Sequence, residues 1–353
     1  MTLGPSIPSS KPGDIGGFLR KCLGFILLFS LLRLAMEWIV PFHTGGMEIS
    51  DKIQHLERQG RPVDILFMGS SRIRRSIIPG LFDTLSGRSH PNGPMSFNMG
   101  APAAVVGENR YILSYLTRKK VGRDLRTVFV EINDIYLPYF FNRQTERARY
   151  WMDIPQFAAY LPIMAESHGI RHALLEGTYS YLAANLLHRT IGLGRVGVDW
   201  MSRQPSDSLL GRWQGYKVSF GNMTDPYGEE PTGERANLDY RLISRLEQEA
   251  RRLHRMNIAP TDNEASRQWR QMIDSYREKG IRILIVVLPG ELKKDVLSIV
   301  HSLPPCHVLD LSNPDRYPDL YDPILYYDIR HFNYSGSVRF TRHLVKEWRR
   351  PCR

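Results

Sequence analysis

The 353-residue chain has only three cysteines, Cys22, Cys306 and Cys352. So few thiols exclude a disulfide-stapled miniprotein and a multi-cysteine zinc or iron–sulfur domain. There is no internal repeat, no long block of like charge and no nucleic-acid-binding motif. The formal net charge of +11 therefore allows an acidic partner, such as anionic lipid, acidic polysaccharide or nucleic acid, without selecting one. Arg118, Lys119, Lys120 and Arg123 form a basic cluster. With no accompanying motif it reads as a solvated or lipid-facing patch, and no nucleic-acid partner is expected. Hydrophobic residues make up 42% of the chain and charged residues 24%, enough for a folded core rather than a disordered chain.

Charge is also scarce near the N-terminus. Residues 1–21 read as a flexible tail that ends in Arg20 and Lys21. Residues 22–42 then form one apolar run broken only by Arg33 and Glu37. Its length is about the twenty residues a helix needs to cross a bilayer. Arg33 and Glu37 lie on one helical face, where they can pair. A cleaved signal peptide and a buried soluble helix are the competing readings, but no convincing small-x-small cleavage site follows the run. We therefore expect a single anchor in the cytoplasmic membrane. Lys11, Arg20 and Lys21 precede it, so the N-terminus stays inside and residues 43–353 lie outside the cytoplasm.

Short β-rich apolar runs recur at 63–68, 127–132, 281–288 and 307–311, with a weaker one at 95–97. Helical patterns at about 105–120, 263–279, 291–302 and 335–349 separate them. This alternation predicts an α/β fold with a mostly parallel sheet covered on both faces. The pattern lapses at 136–262, which we read as a large helical insertion with helices near 155–166, 172–190 and 238–256 and a loop over 203–237. Ligands of such sheets bind at the carboxyl ends of the strands.

Four short motifs stand at those ends. Gly69-Ser70-Ser71 follows the first strand and exposes a serine beside backbone N–H groups that can face an anion. Asn98-Met99-Gly100 follows the weak strand, and a glycine there lets the backbone approach a ligand. Asn133-Asp134 follows strand 127–132 and offers a side-chain amide. In Asp328-Ile329-Arg330-His331, before the last helix, the spacing lets the carboxylate accept from imidazole Nδ1 and leaves Nε2 as a base. Singly each is ordinary turn chemistry. In this order they supply the nucleophile, oxyanion donors, base and orienting acid of acyl transfer.

These blocks resemble those of the SGNH, or GDSL-like, hydrolase superfamily. The resemblance covers about 63–135 and 263–349. It implies a three-layer flavodoxin-like fold in which Ser71, His331 and Asp328 are catalytic and Ser71, Gly100 and Asn133 form the oxyanion hole. It implies no cofactor and no metal. Two positions depart from the family pattern: Ser70 stands where the first block has Asp, and Glu131 where the third has Gly. The first departure also occurs in membrane-anchored members. The resemblance further implies esterase or O-acyltransferase activity on an acylated cell-envelope glycan, beside a multi-span membrane acyltransferase. The alternatives are a catalytically inactive scaffolding or binding subunit of an envelope polysaccharide assembly and, more weakly, a lipase.

Other residues carry plainer readings. Arg72, Arg74 and Arg75 read as a solvated charged face, or else as a binding patch for an anionic substrate. His168 and His172 have a metal-ligand spacing but no third ligand. Trp151, Trp200 and Trp213 read as core packing ahead of a sugar site. Cys306 precedes the 307–311 strand, and the last helix should return near Trp348 to the same sheet edge. A Cys306–Cys352 disulfide would then be within reach in an oxidising compartment.

Overall fold

The computed structural model describes residues 15–39, 47–58, 62–87, 96–118, 123–133, 150–171 and 240–350. The segments expected at 172–190 and 203–237 lie outside these residues, as do His172, Trp200, Trp213 and Cys352. The chain divides into two units, the first holding helix α1 and the second the α/β domain.

Helix α1 (Ile15–Ile39) is 25 residues long. Phe18, Leu23, Phe25, Leu27 and Leu31 are each more than half exposed. At these spacings the apolar side chains surround the helix and do not form one stripe. Among the described residues no helix is long and apolar enough to cross a membrane. Of the 22–42 run, side chains are described only for 22–32.

In the second unit, five parallel strands form one sheet in the order β2-β1-β3-β4-β5. They are β1 (Ile65–Met68), β2 (Ser96–Asn98), β3 (Thr127–Glu131), β4 (Arg282–Val287) and β5 (Val308–Asp310). Each expected strand is present, trimmed by a residue or more in all but the weakest, where the paired segment lies one residue further on. The order is that of flavodoxin-like sheets, and it reverses direction between β1 and β3, where such folds bind ligands. Glu131 and Asn133 follow this crevice on one side and the Gly69 turn on the other.

Successive strand residues face opposite sides of the sheet. Ile65, Phe67, Phe129, Leu284 and Val286 form one face. Phe82 of α4 (Pro79–Ser86) and Phe340 and Leu344 of α10 (Tyr334–Trp348) pack against it. Leu66, Met68, Val128, Val130, Ile283 and Ile285 form the other face and are equally buried. There α8 (Glu264–Arg277) contacts β4, with α9 (Lys294–Ser302) beside it. Apolar side chains on both faces explain why the strands are continuous apolar runs and not alternating ones.

Three helices were not anticipated. Helix α2 (Met47–Arg58) buries Ile49, Ile53 and Leu56 at one helical spacing. Helix α3 (Ser71–Ser76) is a short helix that begins at the candidate nucleophile, and α4 follows it. Between β3 and β4, α6 (Ile154–His168) packs on α5 (Val106–Thr117) and on α8. Trp151 is buried against Tyr160, with ring centroids 5.9 Å apart, and so belongs to the core. Helix α7 (Tyr240–Arg255) places Ile243 in the sheet's core. Helix α8 ends before Gly280, whose φ of +74° favours glycine.

Helix α10 carries the strictest steric demand. A Cβ at Gly336 would lie 2.3 Å from the Leu325 carbonyl oxygen and 2.7 Å from the Phe332 ring. A backbone oxygen cannot swing aside, so we expect Gly336→Ala to destabilise the domain by about 1–3 kcal/mol. Chemical denaturation of the two proteins measures this, and equal midpoints would contradict the packing.

Candidate active site

Ser70 and Ser71 have different structural duties. Ser70 is the N-cap of α3, and its Oγ accepts a hydrogen bond from the Arg72 N–H at 3.1 Å. Ser71 is the first helical residue, and its Oγ lies 2.7 Å from His331 Nε2. The cap occupies the Ser70 hydroxyl and the helix start turns the Ser71 hydroxyl toward the imidazole. No hydrogen-bond partner of the Ser71 N–H is found among the described residues.

His331 Nδ1 lies 2.9 Å from Asp328 Oδ1 and 2.8 Å from Oδ2. The backbone N–H groups of Arg330 and His331 also donate to Oδ1, at 2.8 and 3.0 Å. Burial opposes ionisation of Asp328, but the hydrogen bonds from the imidazole and from these two N–H groups outweigh it. The carboxyl is held below its ordinary value of 3.8. A depressed carboxyl contributes stability above the unfolded value and loses it as pH falls through the folded one. That contribution is therefore fully present at neutral pH and is lost as pH falls below the ordinary carboxyl value.

Serine and histidine are 260 residues apart in sequence. Helix α10, which begins just after His331, joins them. Asn333 caps its start through the Gly336 N–H at 3.0 Å. One turn along, the Ser337 Oγ donates to the Arg75 carbonyl. The next turn brings Thr341 Oγ1, which accepts from the Ile78 N–H at 3.1 Å and donates to the Ser76 carbonyl at 3.3 Å. Both side chains are fully buried. They fasten the histidine's helix to the end of the serine's helix. Nothing in the serine–histidine motifs marked them, but their spacing of four on the apolar face of a helix was a readable signal.

A cavity of about 260 Å³ opens beside Ser71 and His331. Asn133, Ala103, Val105 and Val287 help to line it. Asn133 Oδ1 is buried there with no hydrogen-bond partner among the described residues. Ala103 adopts φ +52°, a conformation that side-chain-bearing residues seldom take.

Gly100 departs from expectation. Its N–H donates to Asn98 Oδ1 at 2.9 Å, and Gly100 is not among the cavity's lining residues. The cause is the Asn98 amide, which donates to the carbonyls of Ile73 and Ile77 at 3.1 and 3.0 Å and so turns its oxygen toward Gly100. The close approach that demands glycine is real, since a Cβ would lie 2.5 Å from the Arg74 nitrogen. It is an approach to α3 and not to a ligand. Buried Lys52 of α2 donates to the Gly100 carbonyl and further fixes this loop.

Arg72 is also not the solvated residue that was expected. Its side chain is only 17% exposed, lines the cavity and stands 3.7 Å from Glu131 Oε1. Arg75 stacks over the Tyr327 ring at 5.0 Å. At the opposite sheet edge Cys306 lines a second cavity together with Trp348 and Arg350, so the predicted return of the last helix is met as far as residue 350.

No family model matches the chain, and no curated protein matches it.

Proposed function

We propose that this chain is an SGNH-type serine enzyme that transfers or hydrolyses ester-linked acyl groups. Its substrate is an acylated cell-envelope glycan. The 22–42 segment anchors it in the cytoplasmic membrane, with the α/β domain outside the cytoplasm and a multi-span membrane acyltransferase as partner. One observation carries the reading: Ser71 Oγ, His331 and the Asp328 carboxylate form an unbroken hydrogen-bonded chain at a ligand-binding sheet edge. The apolar surround of α1 supports the anchor.

The chemistry follows from the positions. As Ser71 Oγ attacks the acyl carbonyl, its proton passes to His331 Nε2. Asp328 steadies the imidazolium. The oxyanion is met by the Ser71 N–H and the Asn133 amide, each such donor being worth about 100- to 1,000-fold in turnover. Collapse expels the alcohol, which takes the proton from His331. Water or a glycan hydroxyl then gives its proton to His331 Nε2 as it attacks the acyl carbon, and collapse expels Ser71 Oγ, which takes that proton back. A vestigial serine would have no need of a base held in one tautomer, so the scaffolding alternative ranks lower. A cavity of about 260 Å³ suits a short acyl group better than a lipid chain, so the lipase alternative ranks lower too.

Treating the full-length protein with a fluorophosphonate and mapping the peptides tests this. Modification is expected at Ser71 and not at Ser70. A folded protein that stays unmodified would overturn the reading.

A further inference from the structure

We propose that Glu131 is the positioning residue of the nucleophile turn, supplying from β3 the carboxylate that this chain lacks at position 70. The inference rests on Ser71 being the nucleophile. It joins two departures from the family pattern, Ser70 in the first block and Glu131 in the third, into a single exchange.

Glu131 is fully buried at the end of β3. Its Oε2 accepts the Ser70 N–H at 2.6 Å. Its Oε1 makes no hydrogen bond among the described residues and faces Arg72 Nη1 at 3.7 Å. One carboxylate therefore grips the residues on both sides of Ser71. Arg72 is gripped in turn from β4's side, because its Nη2 donates to the Pro289 carbonyl. Gly69 completes the fit, since a Cβ there would lie 2.6 Å from Glu131 Oε2. The turn can rest on the carboxylate only because residue 69 lacks a side chain. With the Ser70 N–H drawn down to Glu131, the Ser71 N–H has no partner among the described residues, and Ser71 lines the cavity.

Charge explains why a carboxylate is needed. Oε2 accepts from the Ser70 N–H, and Oε1 pairs by charge alone with the Arg72 guanidinium at 3.7 Å. A carboxamide has one accepting oxygen, so in Glu131→Gln a donor must face a donor. Position 70 explains why the exchange is exclusive. Aspartate caps a helix as well as serine does, so Ser70→Asp keeps the cap of α3. It also sets a second carboxylate against buried Glu131, and two close carboxylates resist joint ionisation.

The test uses the full-length protein and two readouts, the rate of fluorophosphonate labelling at Ser71 and the crystallographic Ser71 Oγ–His331 Nε2 separation. Glu131→Gln should label about 10-fold more slowly and Glu131→Gly about 100-fold more slowly, each with a longer separation. Ser70→Asp alone should also slow labelling. Ser70→Asp combined with Glu131→Gly should come back to within about 10-fold of the starting protein, a rescue that a merely space-filling Glu131 does not give. If Glu131→Gly fails to fold, the near-isosteric Gln variant decides. Unchanged labelling and an unchanged separation in Glu131→Gln would overturn the proposal, as would a double variant no faster than its single parents. If the starting protein itself is not labelled, the functional reading fails, and the separation in Glu131→Gln alone still decides the positioning claim.

Discussion

Ser71→Ala is expected to lower turnover of an activated acetyl ester by about 10⁴- to 10⁶-fold while leaving the unfolding midpoint nearly unchanged. The size follows from losing the only bond-forming atom of a triad whose members act as a unit. The small stability effect follows from position: the Ser71 hydroxyl caps no helix, and among the described residues its one hydrogen bond is to His331 Nε2. Ser70→Ala supplies the contrast. It deletes the cap on the Arg72 N–H, which costs about 1 kcal/mol of stability, and leaves the nucleophile in place. Steady-state hydrolysis and denaturation of the two variants check both halves. Equal losses of activity from the two would remove the distinction between the serines. In cells, the proposed function predicts that the Ser71→Ala protein accumulates normally while an envelope glycan loses its acyl groups.

The parts of this site that could be read from sequence are those set by local spacing. Ser71 stands at the end of an apolar strand, and strand ends are where parallel sheets expose side chains. The Asp328–His331 spacing closes within one turn, so the hydrogen bond at 2.8 Å needed no tertiary knowledge. The strands were readable because residues buried on both faces leave continuous apolar runs. Gly100 was misread for a definite reason. A glycine signals close approach but does not say what approaches, and here it is the backbone of α3. Arg72 looked like part of a basic surface because sequence could not show that Glu131 lies beneath it. Helix α2 went unread although its apolar spacing was present, because it lies between the membrane-like run and the first strand. The spacing of Ser337 and Thr341 on the apolar face of α10 was readable, but not what their hydroxyls bond. Only the packing of α10 on residues 75–78 turns them into the link between base and nucleophile.

Asp328→Asn is expected to be nearly as damaging as loss of the serine, about 10⁴-fold in turnover, through the tautomer of His331. The loop geometry decides which way the new amide must point. The N–H groups of Arg330 and His331 both donate to Oδ1, so the amide oxygen is held there. The amide nitrogen then takes the place of Oδ2, which lies 2.8 Å from His331 Nδ1. The amide oxygen, 2.9 Å from Nδ1, already takes two backbone N–H groups, so the donor at the Oδ2 place favours the tautomer in which Nδ1 accepts and the ring proton sits on Nε2. That nitrogen faces Ser71 Oγ and can no longer remove its proton. Asp328→Ala imposes no tautomer, because water can reach the exposed side of the loop, so it should retain more activity than the isosteric Asn. This inverted order separates a tautomer effect from simple loss of a charge, which would make the two variants alike. Nitrogen-15 NMR of the His331 ring in the Asn variant should place the proton on Nε2. An Asn variant that matches the original protein's turnover within tenfold, or that exceeds the Ala variant, would show that Asp328 does not set the base.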